Sequence, residues 1–158
     1  MEYLDVYNSN KEKTGKIIKR GNHTLSDGEY INIVLIFIRN SEDKYLIQKT
    51  SKEKGGVWAT TGGHVKSGSN SRQTIIEEVN EELGLDISKD NFILIDTTFI
   101  GHGLIDTYFL EKDVDINDLT LQQEEVESVS WLTKEEIYKL NEEEVFRKSN
   151  IPGFEKVS

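Results

Sequence analysis

The chain has 158 residues, which fits one small domain, and its 35% hydrophobic and 30% charged residues are ordinary for a water-soluble protein. A net charge of −10 argues against general binding to nucleic-acid backbones, which requires clustered Lys and Arg. With no cysteine, disulfides, thiol nucleophiles and thiolate metal sites are excluded. The N-terminus lacks a basic and then apolar signal segment, and no apolar run could span a bilayer, so we expect a cytoplasmic protein without membrane binding.

The first half of the chain is predicted to contain short strands separated by polar turns. Tyr3–Tyr7 and Gly15–Arg20 are predicted strands that could form a hairpin. Ile31–Ile38 is almost continuously aliphatic and β-branched, which is typical of a strand buried on both faces. Lys44–Thr50 is predicted to pair with it across a polar turn.

A glycine-rich turn then leads into a predicted helix, which Asn70 or Ser71 can cap at its start and Gly84 can end in a left-handed conformation. Hydrophobic patterning predicts three more strands and two helical segments: Phe92–Ile100, Leu104–Glu111, Val126–Leu132, Lys134–Leu140 and Glu142–Lys148. Periodicity alone therefore indicates a mixed α and β domain.

The predicted helix has one acidic face and one apolar face. Glu78, Glu81 and Glu82 stand at i, i+3 and i+4, so their carboxylates share one side. Such like-charge pairs cost roughly a few tenths of a kcal/mol each, and become favourable when a hard cation such as Mg²⁺ lies between the oxygens. The opposite side is an apolar stripe of Ile75, Ile76, Val79 and Leu83. An acidic helix alone is more often a solvated surface, but the preceding glycines favour a metal site for phosphate chemistry.

Together, the glycine turn and the helix resemble the Nudix box, G x(5) E x(7) R E U x E E x G U, where U is a bulky aliphatic residue. The matching positions are Gly63, Glu78, Val79, Glu81, Glu82, Gly84 and Leu85. Two positions differ, because Ser69 replaces the first box glutamate and Glu77 replaces the arginine. In the family these two side chains form a structural pair, so losing both removes an ion pair without stranding one charge.

Similarity to the Nudix superfamily covers nearly the whole chain and implies one domain, residues 1–158, with the box at 63–85 and short strands within 3–20. The implied fold is an α/β/α sandwich around a mixed β-sheet. The N-terminal segment and Trp58 resemble the branch nearest isopentenyl diphosphate isomerases. Those isomerases use a cysteine in the corresponding turn, where this chain has Gly62, so isomerisation ranks below hydrolysis.

The resemblance implies a hydrolase dependent on Mg²⁺, with Mn²⁺ as an alternative, that cleaves a diphosphate linkage by water attack on phosphorus. The expected substrate is a nucleoside diphosphate linked to another moiety, or a related organic diphosphate. Glu78, Glu81 and Glu82 are the expected metal ligands, and one of them or Glu125 would act as general base. An isomerase-like enzyme and a catalytically weak binding module of the same fold remain the alternatives.

Four further residues are expected on the substrate side. Gly62 and Gly63 would let backbone N–H groups approach an anion closely, and His64 follows them directly. Arg72, on the first helical turn, could contact phosphate. Each has a plain alternative, since a loop histidine or a helix arginine is often only solvated, and Glu125 could be a surface acid beside Glu124.

The expected partner is a small-molecule diphosphate, without stable nucleic-acid binding. The moiety attached to the diphosphate and the oligomeric state stay open, with a homodimer as one option.

Overall fold

The computed structural model describes residues 2–21 and 24–158, and within them one sheet of nine strands is accompanied by three α-helices. The strands are β1 (Tyr3–Tyr7), β2 (Lys13–Lys19), β3 (Tyr30–Arg39), β4 (Tyr45–Thr50), β5 (Trp58–Ala59), β6 (Thr61–His64), β7 (Ile93–Ile100), β8 (Gly103–Glu111) and β9 (Val126–Leu132). The helices are α1 (Ser71–Leu83), α2 (Lys134–Glu142) and α3 (Ile151–Val157). No helix in this part of the chain is long and apolar enough to cross a membrane.

Strand β3 organises the sheet. It runs parallel to β8 from the Ile31–Gly103 pair to the Arg39–Glu111 pair. Shorter stretches of β3 pair antiparallel with β1, with β6 and, at Arg39, with β4. Because β3 is bordered by strands on both edges and covered on both faces, its unbroken aliphatic run is the pattern expected of a central strand.

Helices cover both faces of the sheet, which confirms the α/β/α expectation. On one face, α1 buries Ile75, Val79 and Leu83 against alternate residues of β3, with Ile76 partly buried beside them. On the other face, Ile137 of α2 and Phe154 of α3 pack around Phe37. Fully burying one such side chain contributes about 1.5–3 kcal/mol to folding stability, so the helices on both faces stabilise the sheet.

Two predicted elements were wrong. Gly62 and Gly63 do not form a loop but lie in β6, where they pair with Leu35 and Val34 of β3. The segment 142–148 is not a separate helix, because α2 extends to Glu142 and the chain then runs alongside Trp58. The backbone N–H of Trp58 donates to Val145, and Arg147 donates back to Trp58. These inter-segment bonds hold the backbone extended, and the last helix begins only at Ile151.

Candidate active site

Helix α1 is fixed at both ends, which sets where its glutamates point. Asn70, rather than Ser71, is the N-cap, and its side chain accepts a hydrogen bond from the backbone N–H of Gln73. Gly84 ends the helix with φ +66°, a left-handed conformation that glycine adopts without strain. Between these ends Glu82 is buried, Glu78 is half-buried and Glu81 is exposed.

Glu82 is oriented by a neighbouring strand. The Gln48 amide on β4 donates from Nε2 to Glu82 Oε1 at 2.7 Å. Gln48 Oε1 in turn accepts from Thr61 Oγ1, also at 2.7 Å, so the amide cannot flip without losing both bonds. The carboxylate of Glu82 is therefore held in one orientation by a chain of buried hydrogen bonds.

Glu78 and Glu82 lie close enough for their carboxyl groups to hydrogen-bond to each other, and the pKa of each is raised above its usual value. Burial, the bond to Glu82 and the charges of Glu82 and Glu81 raise the pKa of Glu78 to about 9. Burial also raises the pKa of Glu82, despite its bonds to Glu78 and Gln48. Two carboxyl groups forced together in this way retain a proton at neutral pH unless a cation takes its place.

The two glycines of β6 are required by close packing rather than by loop flexibility. A Cβ added at Gly63 would lie 2.5 Å from the Glu78 carboxyl carbon. One added at Gly62 would lie 2.3 Å from the Val34 carbonyl oxygen. Because glycine has no side chain, β6 fits between β3 and α1 and brings its backbone directly beside Glu78.

A cleft of about 530 Å³ opens over this arrangement. Five acidic side chains line it, those of Glu2, Glu78, Glu81, Glu82 and Glu125. Glu125 lies near enough for its charge to raise the pKa of Glu82, and it forms an ion pair with Lys54 at 3.4 Å. The cleft also has basic lining residues: Arg20, Lys54, His64, Lys66 and Arg147. Acidic and basic side chains thus face the same cleft, as required to hold a metal ion together with an anionic substrate.

The structure brings seven of the eight predicted site residues to this cleft: Gly62, Gly63, His64, Glu78, Glu81, Glu82 and Glu125. Arg72 is the exception, and it does not line the cleft. Its guanidinium lies 4.0 Å from the centre of the Phe92 ring and donates to the Phe92 carbonyl at 3.5 Å. A cation stacked on an aromatic face is stabilised where it lies, so the Arg72 guanidinium is held at Phe92 rather than at this cleft.

Sequence reasoning missed several cleft residues, including Gln48, Lys66, Arg147 and Asn150. Lys66 lies inside the box, and its position there was the only available signal. Asn150 is fully buried, and its Oδ1 accepts from the backbone N–H of Thr60 at 2.9 Å. Its Nδ2 has no hydrogen-bond partner among the described residues. Arg147 and Asn150 lie in no sequence motif. Their contacts with Trp58 and Thr60 bring them to the cleft, and a local pattern in the sequence does not predict such contacts.

A divalent cation fits the chemistry of the acidic wall, although its ligands are not fully assembled. Among residues 2–21 and 24–158, no three His, Asp or Glu side chains converge on one ion position. The Glu78–Glu82 pair nevertheless offers oxygen donors, which hard cations prefer, and a cation between the two carboxylates would offset their mutual repulsion. Side-chain rotation of exposed Glu81, or of partly exposed Glu125, could complete the donor set.

Sequence comparisons find similar proteins over most of the chain. The family model described as NUDIX domain matches residues 29–153. An uncharacterized Nudix hydrolase of Listeria innocua is 39% identical over 141 residues, which cover 87% of this chain and 83% of the relative. Nudix hydrolase 3 of Arabidopsis thaliana is 31% identical over 152 residues, which cover 85% of this chain and 20% of that larger protein.

A solved structure shows the same fold. The crystal structure of DR0079 from Deinococcus radiodurans superposes with a TM-score of 0.83 and covers 99% of this chain and 100% of that one. Sequence identity in this alignment is 21%, so the likeness concerns the fold. The N-terminal strands, which precede the segment matched by the family model, are included in this superposition.

Proposed function

The chain belongs to the Nudix family of hydrolases, which act on pyrophosphate bonds, and we propose that it cleaves a diphosphate linkage with the help of Mg²⁺ or Mn²⁺. The observation that carries this proposal is the Glu78–Glu82 carboxyl pair, whose pKa values are raised in a cleft that also presents cationic side chains. A carboxyl pair of this kind favours a cation, and the basic residues suit the anion that the cation would bring.

Glu78 and Glu82 would hold the metal, with Glu81 or Glu125 completing the donor set. Bound there, a divalent ion supplies charge neutralisation at the phosphate oxygens and lowers the pKa of an attacking water. Gln48 keeps the Glu82 carboxylate in one orientation through its 2.7 Å hydrogen bond. Support of a ligand by a neighbouring amide typically strengthens metal binding by about 10- to 100-fold.

Glu125 is the proposed general base. It lines the cleft from the loop before β9 rather than from helix α1, and its backbone is fixed by a hydrogen bond from the Ser51 N–H. Its carboxyl group forms an ion pair with Lys54 at 3.4 Å and faces the cleft, where a carboxylate oxygen could accept a proton from water. Glu81 is the alternative base on the helix.

The proposed substrate is a nucleoside diphosphate joined to another moiety, or a related organic diphosphate. Lys66 follows β6 and Arg147 precedes α3, and both line the cleft. Their positive charges would offset the phosphate charge. Gly62, Gly63 and His64 would face the same anion. We further propose a cytoplasmic location, no stable binding of nucleic acid or membranes, and a homodimer, whose presence light scattering of the purified chain would test.

Product analysis tests the hydrolase proposal. The native chain is incubated with Mg²⁺ and a panel of nucleotide sugars, dinucleotides, nucleoside triphosphates and isoprenoid diphosphates, and released phosphate and monophosphates are measured. Glu82→Gln should abolish release, whereas Glu77→Gln, an exposed neighbour on the same helix that does not line the cleft, should not. Release that persists undiminished in Glu82→Gln would contradict the proposed site.

The same assay separates the alternatives. Migration of a double bond without phosphate release would indicate an isomerase, and metal-dependent binding without any product would indicate a binding module. Two of the relatives named above are called hydrolases, and the name of the third gives no activity. Neither the isomerase nor the binding module is therefore favoured.

A further inference from the structure

The N-terminal hairpin of β1 and β2 lies outside the segment matched by the family model, yet it packs against the site. Residues 66–69, here called the box loop, form the central part of the connection between β6 and α1. Leu4 of β1 forms a β-bridge with Lys66, and the backbone N–H of Ser67 donates to the Tyr3 carbonyl at 2.8 Å. The box loop therefore pairs with the hairpin as an added backbone segment.

Asp5 makes the side-chain contacts that hold this loop. Its Oδ1 accepts from Ser67 Oγ at 2.9 Å, and its Oδ2 accepts from the backbone N–H of Gly68 at 3.0 Å. Lys13 of β2 lies 3.3 Å from Asp5 Oδ2 and also donates to the Ser69 carbonyl at 3.3 Å. The Asp5 side chain is only 13% exposed, so these charge-assisted bonds are partly shielded from water.

The hairpin is itself a fixed support. Lys11 in its turn reaches Asp106 of β8, with Nζ 2.7 Å from Oδ1. Asp106 is fully buried and also accepts from Thr97 and Asn32. Removing the lysine would leave a buried carboxylate without its counter-charge, which is strongly unfavourable, so the hairpin is anchored to the sheet.

The box loop carries one of the cleft cations. Lys66 lines the cleft together with Glu78. Positions 69 and 77 cannot brace this loop with an ion pair, because one is a serine and the other an acid. Ser69 offers a hydroxyl 3.3 Å from Thr74 Oγ1. Charged contacts to the loop thus come from Asp5 and Lys13 of the hairpin and from Glu2 just before it, whose Oε1 lies 3.7 Å from Lys66 Nζ.

We propose that Asp5 is a positioning residue for substrate binding, which fixes the box loop so that the Lys66 ammonium faces the diphosphate in the cleft. This proposal rests on the proposed function of the cleft. In this proposal Asp5 contacts neither substrate nor metal, and its effect on substrate binding depends on Lys66. The N-terminal hairpin is then part of the substrate site, although the family model does not include it.

A double-mutant cycle tests this dependence. Binding of methylenediphosphonate, a non-hydrolysable diphosphate, is measured by calorimetry with Mg²⁺ for the native chain, Asp5→Ala, Lys66→Ala and the double variant. We expect each single variant to bind roughly tenfold more weakly, the scale of one charge-assisted hydrogen bond, and the double variant to bind no more weakly than Lys66→Ala. Losses that multiply in the double variant would overturn the proposal.

Asp113→Ala is a matched control. Asp113 accepts from both the backbone N–H and the Oγ of Ser41, at 2.8 and 3.0 Å, in a loop that does not line the cleft. The Asp113→Ala variant should be less stable than the native chain but should bind the diphosphonate equally well. Equal loss of binding in this variant would reduce the effect of Asp5→Ala to general destabilisation and overturn the proposal.

Amide exchange reports on the loop without any ligand. Asp5→Ala should speed exchange at Gly68 by roughly tenfold or more, since the acceptor of that N–H is removed, while Asp113→Ala should leave Gly68 unchanged. Failure of the native chain to bind the diphosphonate would refute the proposed function and the role of Asp5 with it. Native binding without a loss in Asp5→Ala, or unchanged Gly68 exchange, would refute only the role of Asp5.

Discussion

The space between Gly63 and Glu78 has no room for a methyl group, since a Cβ at position 63 would lie 2.5 Å from the Glu78 carboxyl carbon and 2.7 Å from its Oε1. Strand β6 and helix α1 are thereby held in contact at the carboxyl pair. The glycine determines where the Glu78 carboxyl group can lie.

Alanine at the two β6 glycines should separate site geometry from stability. Gly63→Ala meets the flexible end of Glu78, so we expect a folded protein whose displaced carboxylate weakens Mg²⁺ binding and hydrolysis. Gly62→Ala meets the Val34 carbonyl at 2.3 Å, and because backbone cannot rotate away it should destabilise the fold by about 1–3 kcal/mol. Denaturant unfolding and Mg²⁺ titration measure the two effects. Unchanged metal binding in Gly63→Ala would contradict this account.

Replacing Gln48 should weaken Mg²⁺ binding at the proposed site without changing a proposed ligand. Gln48→Leu removes the donor that orients Glu82 and the acceptor for the buried Thr61 hydroxyl. We expect Mg²⁺ affinity to fall about 10- to 100-fold, as for other residues that support metal ligands. Gln73→Leu on the exposed side of α1 is the control, and a similar loss there would argue against a specific role for Gln48.

Without metal, stability should decrease as pH rises. The pKa of Glu78 is raised from 4.5 to about 9, so between these pH values the folded protein keeps a proton that the unfolded chain has released. Rising pH then favours unfolding up to about pH 9. We expect Tm in EDTA to fall from about pH 6 to about pH 9, and excess Mg²⁺ to reduce the fall because the cation replaces the proton. The Glu78→Gln variant should show a flatter curve in EDTA, and an equally steep one would refute the assignment.

Asn150 should matter for stability through its acceptor oxygen. Asn150→Ala leaves the buried N–H of Thr60 without its partner at 2.9 Å, which costs about 1–3 kcal/mol. Urea unfolding measures this loss. The neighbouring Ser149→Ala variant, which leaves that bond intact, should unfold close to the native midpoint. Equal midpoints for Asn150→Ala and the native chain would show that the bond does not hold α3 to the sheet.

Local sequence signals predicted most elements and the acidic half of the site. The aliphatic run of β3 and the capped, two-faced helix α1 are encoded by neighbouring residues, so Glu78, Glu81 and Glu82 could be placed together. The strand at Gly62 and Gly63 could not be predicted, because glycines favour turns and β6 exists only through pairing with β3.

The basic half of the site was harder to predict for the same reason. Arg72 turns away to stack on Phe92, while Arg147 enters the cleft because its backbone pairs with Trp58. Both outcomes depend on contacts between residues distant in sequence. A charge pattern read along the chain does not contain that information.

The parallel pairing of β3 with β8 joins residues 72 positions apart. During synthesis, which proceeds from the N-terminus, β3 therefore lacks the neighbour along its longest edge until residue 111 has been made. Closing so long a loop is entropically costly, and non-local pairing of this kind makes a sheet slow to form. The most aliphatic segment of the chain is thus exposed on nascent polypeptide, where a chaperone could bind it before the sheet is complete.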